Sequence, residues 1–104
     1  MFVAIVQIPM TKRPPDVAVE AATRSAPTYT ALGAKGLLKK YYLNGEAGGG
    51  GVYLWVSEAA ARAWYTPEWE ARMEAAFGAR PIVTYYDSHV VVDNEAGQVR
   101  IEGA

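Results

Sequence analysis

The feature that most constrains this chain is a set of strand-like segments that are apolar on both faces. In the first segment, Phe2–Ile8, one face carries Phe2, Ala4, Val6 and Ile8. The other face carries Val3, Ile5 and Gln7. Because successive side chains of a strand point to opposite sides of the sheet, a solvated face should interleave polar with apolar residues. This segment does not, so we expect it to be covered on both sides.

A helix is predicted after the loop that follows this strand. Pro14 and Pro15 suit a helix entry. Small residues and one aromatic recur at helical spacing: Ala18, Ala21, Ala22, Ser25, Ala26 and Tyr29. This narrow stripe is typical of a helix that lies close on a sheet. Because Pro27 lacks a backbone N–H, we expect the helix to kink there or to end near Ala26, with Gly33 closing the segment.

Two further strands flank a glycine-rich connection. Residues 35–43 alternate as an extended chain, which places Lys39 and Lys40 on opposite faces, and glycines 48–51 lead into Val52–Val56. The intervening Asn44-Gly45 is a strong turn signal, so the two strands should form an antiparallel hairpin. The glycine run does not suit a phosphate loop, because a strand follows it rather than a helix.

The remainder predicts a helical region in two pieces, one more strand and a tail. Ser57 can cap the first piece, and Thr66-Pro67 is typical of a fresh helix start. The second piece places Trp69, Met73, Ala76 and Phe77 on one stripe. We predict the last strand over Ile82–Val92 and a polar tail over 93–104.

The resulting order is β-α-β-β-α-β, which is the order of the α+β ferredoxin-like split fold. In that fold four strands form one antiparallel sheet with both helices on one face. We predict a single domain over residues 1–104, with its core in residues 2–92 and the second helix broken near Thr66-Pro67.

This fold leaves one apolar sheet face without a cover. The chain has 104 residues, of which 51% are hydrophobic, and two helices cannot cover both faces of its sheet. An exposed apolar patch of that size is unusual for a monomer. Two sheets packed face to face would hide about 800 Å² per partner, so we predict a homodimer that closes toward a barrel.

Charge and composition exclude several classes of partner and cofactor. Ten basic against eleven acidic residues leave a net charge of −1, which attracts neither nucleic acid nor an anionic membrane surface. The absence of cysteine removes disulfides, thiol catalysis and thiolate metal sites. One histidine and no cysteine make no convincing metal site, so we expect none, and we expect no nucleic-acid or membrane partner. The start of the chain lacks a basic leader and its apolar run is much shorter than a membrane span, so we expect a cytoplasmic protein.

The aromatic residues suggest a cavity for a flat organic molecule. Ten Tyr and Trp residues against two Phe carry more polar tips than a dry core accommodates, which suits a partly wet cavity. The candidate substrate-binding residues are Tyr29, Tyr53, Trp55, Trp69 and Tyr85. Packing in the core or at the dimer interface remains the alternative role for any one of these rings.

Two further side chains are candidates for chemistry. His89 is the only histidine and follows Asp87 by two positions, so a carboxylate can hold the imidazole as a base. Its alternative role is a hydrogen-bonded residue at a strand end. Lys39 is the candidate cation for an anionic substrate oxygen.

The chain resembles the YdhR-like monooxygenases, a family of dimeric α+β barrel proteins related to the antibiotic-biosynthesis monooxygenases. The resemblance spans about residues 2–92 and rests on three motifs: the Gly-Leu strand with a lysine at 36–42, the Gly-Gly-x-Tyr-x-Trp strand at 49–55, and the Ala-rich helix ending in aromatics at 59–65. It implies a dimeric barrel and oxidation of aromatic compounds without metal or flavin. Trp64 matches the helix whose tryptophan binds substrate in related enzymes.

These observations lead to one leading function and two alternatives. The leading hypothesis is a cofactor-independent monooxygenase for a small aromatic or quinol-type compound, with His89 as proton acceptor, Lys39 as the oxygen-pairing cation and Trp64 in the site. The alternatives are a non-catalytic small-molecule binding protein and a structural dimerisation module.

Overall fold

The computed structural model describes residues 1–102, which form a four-stranded antiparallel sheet, three α-helices and a separate two-stranded hairpin. In chain order the elements are β1 (Phe2–Ile8), α1 (Pro15–Ala31), a 3-10 turn (Leu32–Lys35), β2 (Leu37–Gly45), β3 (Gly48–Trp55), α2 (Glu58–Trp64), α3 (Pro67–Phe77), β4 (Ile82–Asp87), β5 (Val90–Asp93) and β6 (Gln98–Ile101). The α+β architecture and the sheet order β2-β3-β1-β4 are compatible with a ferredoxin-like fold.

The inner face of the sheet, which the helices cover, carries the core. Strand β1 contributes Phe2, Ala4, Val6 and Ile8, each at most 5% exposed. The register sets Ala4 beside Tyr53 on one side and Tyr85 on the other. Burying these apolar side chains against the helices supplies the main stabilisation of the fold.

Helix α1 runs through Pro27 to Ala31, so of the two predicted alternatives the end near Ala26 is wrong. Proline removes the hydrogen bond that its N–H would make to the carbonyl four residues earlier, here Thr23. Both Pro27 and Thr23 are exposed, so water can satisfy that carbonyl and the helix continues. The chain then leaves the 3-10 turn through Gly36, which adopts a left-handed conformation with φ 104°.

A bulge at the start of β2 changes which residues share a face. Leu37 pairs with Trp55 and Lys39 with Leu54, so Leu38 is an extra residue in the ladder. Leu37 therefore joins Lys40 on the inner face, whereas strict alternation from residue 35 predicted it beside Lys39. Lys39 and Lys40 lie on opposite faces, as predicted.

The hairpin between β2 and β3 is antiparallel, as predicted, but its turn lies two residues later than expected. Asn44 pairs with Gly49 and Gly45 with Gly48, which leaves Glu46 and Ala47 as the turn. The expected turn residues Asn44 and Gly45 therefore extend the ladder.

Caps predicted from the sequence begin α2 and α3. The Ser57 hydroxyl accepts a hydrogen bond from the Ala60 N–H, and the Thr66 hydroxyl accepts one from the Trp69 N–H. Pro67 occupies the first turn of α3, where its missing N–H costs nothing. These caps place Trp69 at the start of α3 against the core, where it is 1% exposed.

The C-terminal part of the described chain differs from the prediction of one long strand and a polar tail. Strand β4 ends at Asp87, and Val90–Asp93 pairs with Gln98–Ile101 in a second, two-stranded sheet. The break at Ser88 and His89 redirects the chain after β4. The predicted tail is thus largely a hairpin, although its last two residues, 103 and 104, lie outside the described residues.

The outer face of the four-stranded sheet is apolar and open. It carries Val3, Ile5, Tyr41, Leu43, Val52, Leu54, Ile82 and Tyr86. Tyr41, Ile82 and Tyr86 are each more than half exposed. The prediction that the strands are apolar on both faces is therefore confirmed, and the helices cover one of those faces.

Among residues 1–102, no helix combines the length and the apolar character needed to cross a membrane.

Candidate functional site

A cavity of about 510 Å³ lies between the inner face of the sheet and helices α1 and α3. Its volume is in the range of small-molecule sites. The principal lining residues are Val6, Ile8, Met10, Arg13, Ala18, Ala22, Ser25, Tyr29, Lys40, Tyr42, Asn44, Gly49, Tyr53, Trp69, Met73, Ala76 and Phe77.

Small residues on opposite walls leave the room for this cavity. Ala18, Ala22 and Ser25 of α1 face it, and α1 contains no fully buried residue. On the facing strand, Gly49 lets Met10 pack close to the sheet, because a Cβ there would lie 2.7 Å from the Met10 sulfur. The stripe of α1 thus faces a void, which differs from the close packing on the sheet that its small residues predicted.

The Lys40 ammonium lies among three tyrosine rings of the cavity wall. Its Nζ is 3.4 Å from the centre of the Tyr29 ring, 3.8 Å from that of Tyr42 and 4.8 Å from that of Tyr53. Ring faces attract a cation, so these tyrosines hold the side chain in place. The rings come from α1, β2 and β3, and only the folded chain brings them together.

Burial lowers the pKa of Lys40 from 10.5 to about 7. The cause is desolvation, which disfavours the charged amine, while the ring faces act in the opposite direction. Lys40 takes part in none of the ion pairs among the described residues, so no carboxylate there compensates the charge of its ammonium group. A group with such a pKa can both donate and accept a proton near neutral pH.

Phenol and alcohol groups complete the polar part of the wall. The Tyr42 and Ser25 hydroxyls lie 2.8 Å apart and share a hydrogen bond. Burial raises the pKa of Tyr29 and of Tyr53 above the usual value for tyrosine. Both phenols are therefore neutral around pH 7 and can donate hydrogen bonds.

Arg13 supplies a second cation to the cavity. Its guanidinium lies 5.9 Å from the centre of the Phe77 ring. Its backbone is fixed by Asn44, whose Oδ1 accepts from the Arg13 N–H and whose Nδ2 donates to the Arg13 carbonyl, both at 2.9 Å. The lining thus contains two cations and, among the described residues, no carboxylate.

Three of the five predicted substrate-binding aromatics line this cavity: Tyr29, Tyr53 and Trp69. Trp55 does not, because it is completely buried in the core and its Nε1 donates to the Tyr65 hydroxyl at 3.2 Å. Tyr85 packs on Phe2 at 5.6 Å between ring centres and lies under the Arg62 guanidinium, outside the cavity lining.

The three predicted catalytic residues lie outside the cavity lining. Trp64 contacts the Tyr29 ring edge-on at 6.2 Å and packs against the core. Lys39 is exposed on the outer face, because the register directs its neighbour Lys40 inward. His89 follows the end of β4 and lines a separate depression with Asp87, Glu58 and Arg62. The structure therefore brings neither Lys39 nor His89 to the aromatic site.

Lys40 and Arg13 are the site residues that sequence reasoning missed. The opposite facing of Lys39 and Lys40 was evident from strand alternation, but which face the helices cover was not. A usable signal was the glycine run that precedes Tyr53, the residue paired with Lys40, because a lysine beside small residues on an inner face has space around its stem. Gly51 illustrates this, since a Cβ there would lie 3.1 Å from Lys40 Cε.

Within residues 1–102, no group of three His, Cys, Asp or Glu side chains is arranged to hold a metal ion. Comparison of the chain with protein-family models finds no match, and comparison with curated proteins finds none either.

Proposed function

We propose that this protein is a cytoplasmic, cofactor-independent monooxygenase that acts on a small aromatic or quinol-type compound bound in the cavity between sheet and helices. The observation that supports the proposal most is the position of Lys40. An amine that has no carboxylate partner among residues 1–102 and is held by tyrosine rings in an apolar cavity suits a ligand that carries an acidic hydroxyl on a flat ring.

The proposed chemistry begins with a proton transfer to the neutral amine of Lys40. The resulting phenolate pairs with the ammonium and is electron-rich enough to donate to dioxygen. A quinol then supplies all four electrons: one oxygen atom becomes a ring hydroxyl, the quinol is oxidised to the hydroxyquinone, and the other oxygen atom leaves as water. Lys40 thus takes both the pairing role expected of Lys39 and the acceptor role expected of His89.

Oxygen consumption by the purified protein with a naphthohydroquinone tests this proposal. We expect a rate above autoxidation, incorporation of one labelled oxygen atom from isotopically labelled dioxygen, and loss of the excess rate in Lys40→Met. Lys39→Met is the matched control, because it removes the same charge from the outer face. Failure to exceed autoxidation with a panel of phenols and quinols would contradict the proposal.

A specific observation favours the non-catalytic binding protein as second candidate. His89, the residue expected to accept a proton, lies in a separate depression and not beside Lys40. Thermal stabilisation by phenols without oxygen consumption would favour this reading. Ala22→Leu should then weaken the stabilisation by filling the cavity, whereas Thr23→Leu on the exposed side of α1 should not. The cavity argues against the third alternative, a structural module, which needs none.

We also propose that the protein acts as a homodimer through the outer sheet face. The apolar residues of that face have no cover within the described chain, and a stable dimer needs about 800 Å² per partner. The β5–β6 hairpin adds a second apolar surface, formed by Val90, Val92, Val99 and Ile101, which are 55% to 79% exposed. A second copy of this chain can cover both surfaces and close the two sheets into a barrel.

A further inference from the structure

The cavity carries more positive charge than a phenol requires. Besides Lys40 it contains Arg13, whose guanidinium extends over Phe77 in the same wall. One ionised hydroxyl would pair with Lys40 and leave Arg13 without a counter-charge. The other groups of the lining are apolar side chains, hydroxyls and the Asn44 amide, and none of these carries a negative charge at neutral pH.

The backbone of Arg13 is anchored to the cavity wall. Both hydrogen bonds that fix its backbone come from the Asn44 side chain, which itself lines the cavity. Its neighbour Lys12 differs on each point, because it lies outside the lining and faces Glu46 at 4.0 Å. Two adjacent cations of the same loop thus have different surroundings, and only Arg13 combines a cavity position with the absence of an acidic partner among residues 1–102.

We infer that the ligand is a hydroxylated aromatic acid whose carboxylate pairs with Arg13 while its hydroxyl faces Lys40. The inference rests on that part of the proposed function which places a hydroxylated aromatic ligand in the cavity. A guanidinium presents parallel N–H donors that match the two oxygens of a carboxylate, and such charge-assisted pairs are strong where water is partly excluded. The apolar wall, including Trp69 and Met73, receives the ring system between the two anchors.

The titratable groups around Lys40 come from three elements that line the cavity, whereas β1 contributes only Val6 and Ile8 to the lining. Tyr29 of α1, Tyr42 of β2 and Tyr53 of β3 surround Lys40, and Arg72 of α3 acts electrostatically on Tyr29. These groups are neutral or cationic, so none of them repels an organic anion. A hydroxylated acid satisfies both cations, whereas a neutral phenol satisfies one.

A comparison of two ligands on several variants tests the inference by binding alone. The ligands are a hydroxynaphthoic acid and the naphthol that lacks its carboxyl group, and the readout is the dissociation constant from calorimetry. We expect the acid to bind the natural protein roughly tenfold more tightly or better than the naphthol. Arg13→Gln should remove most of this difference while leaving the affinity for the naphthol within about threefold.

The control variants distinguish a direct contact between Arg13 and the ligand carboxylate from a general electrostatic effect of positive charge. Lys12→Gln removes the same charge one residue away and should leave the preference for the acid intact, and Arg13→Lys should retain part of it. An equal loss for both ligands in Arg13→Gln, or an equal effect of Lys12→Gln, would overturn the inference, as would an acid that binds no better than the naphthol. Because no turnover is measured, acid binding that depends on Arg13 without oxygen consumption would sustain this inference while contradicting the monooxygenase proposal.

Discussion

Lys40 shows how one side chain can link the stability of this fold to its proposed function. Folding places its amine among tyrosine rings and lowers its pKa from 10.5 to about 7. Below pH 7 the amine is charged in both the folded and the unfolded chain, so the cost of burying the charge is fully present. Between these two values the unfolded chain binds more protons, so the free energy of unfolding rises with pH.

We therefore predict that Lys40→Met stabilises the protein in a pH-dependent manner. The fall in pKa sets an upper limit of about 5 kcal/mol, and the ring faces and partial exposure reduce the expected gain to about 1–3 kcal/mol. The gain should be largest near and below pH 7 and should disappear as the pH approaches 10.5. Chemical denaturation across this range measures it, and Lys39→Met should show no such trend. A gain that is independent of pH would contradict the assigned cause.

At the residue scale, the sequence indicated that aromatic side chains line a cavity, but not which of them do so. Tyr29, Tyr53 and Trp69 were predicted to line a cavity and do so. Trp55 lies on the same inner face as Tyr53, but it is two residues farther along β3. There it packs against Tyr65 and is buried in the core. Whether an inward ring meets a void or another ring depends on residues that are distant in sequence.

At the scale of elements, a glycine of β3 determines how closely that strand approaches its neighbour β1. Gly50 has φ 131°, and a Cβ there would lie 1.9 Å from the Val6 carbonyl oxygen of the neighbouring strand. Both the left-handed backbone and the adjacent strand therefore require glycine. The run that resembles a flexible connection in sequence is part of the central ladder.

We predict that Gly50→Ala lowers the free energy of unfolding by about 2–4 kcal/mol, because the chain must strain its backbone and separate β3 from β1. Gly33→Ala is the matched control. A Cβ at Gly33 meets open space, so that variant should change stability by less than about 1 kcal/mol. Urea denaturation compares the two variants, and equal stabilities would refute the role assigned to Gly50.

The elements themselves were predicted well where local chemistry decides them. The caps at Ser57 and Thr66 begin helices because their hydroxyls satisfy free N–H groups within the same segment. The sequence left open whether α1 ends near Ala26 or continues through Pro27, because this depends on whether water reaches the freed carbonyl. The bulge at Leu38 was missed for a similar reason, since only pairing with β3 shows the extra residue.

At the scale of the whole molecule, the outer sheet face sets the expected oligomeric state. We predict that the protein sediments as a dimer and that Val52→Glu shifts it toward the monomer, because a charge would be buried at the centre of the apolar face. Val17→Glu is the control, since Val17 is exposed on α1 at 44%. Sedimentation velocity over a range of concentrations gives the result, and a natural protein that is monomeric throughout would contradict the prediction.

The sequence by itself determined the order of the main elements, the apolar character of both sheet faces and the helix starts, because each depends on neighbours within a few residues. Only the tertiary structure decided that Lys40 rather than Lys39 enters the cavity, that His89 lies elsewhere, and that Arg13 joins the site. The physical reason is that strand alternation distinguishes two faces without saying which one the helices cover. The small side chains of α1 likewise form the wall of a cavity only in the folded chain, where they face the sheet and α3 across an open space.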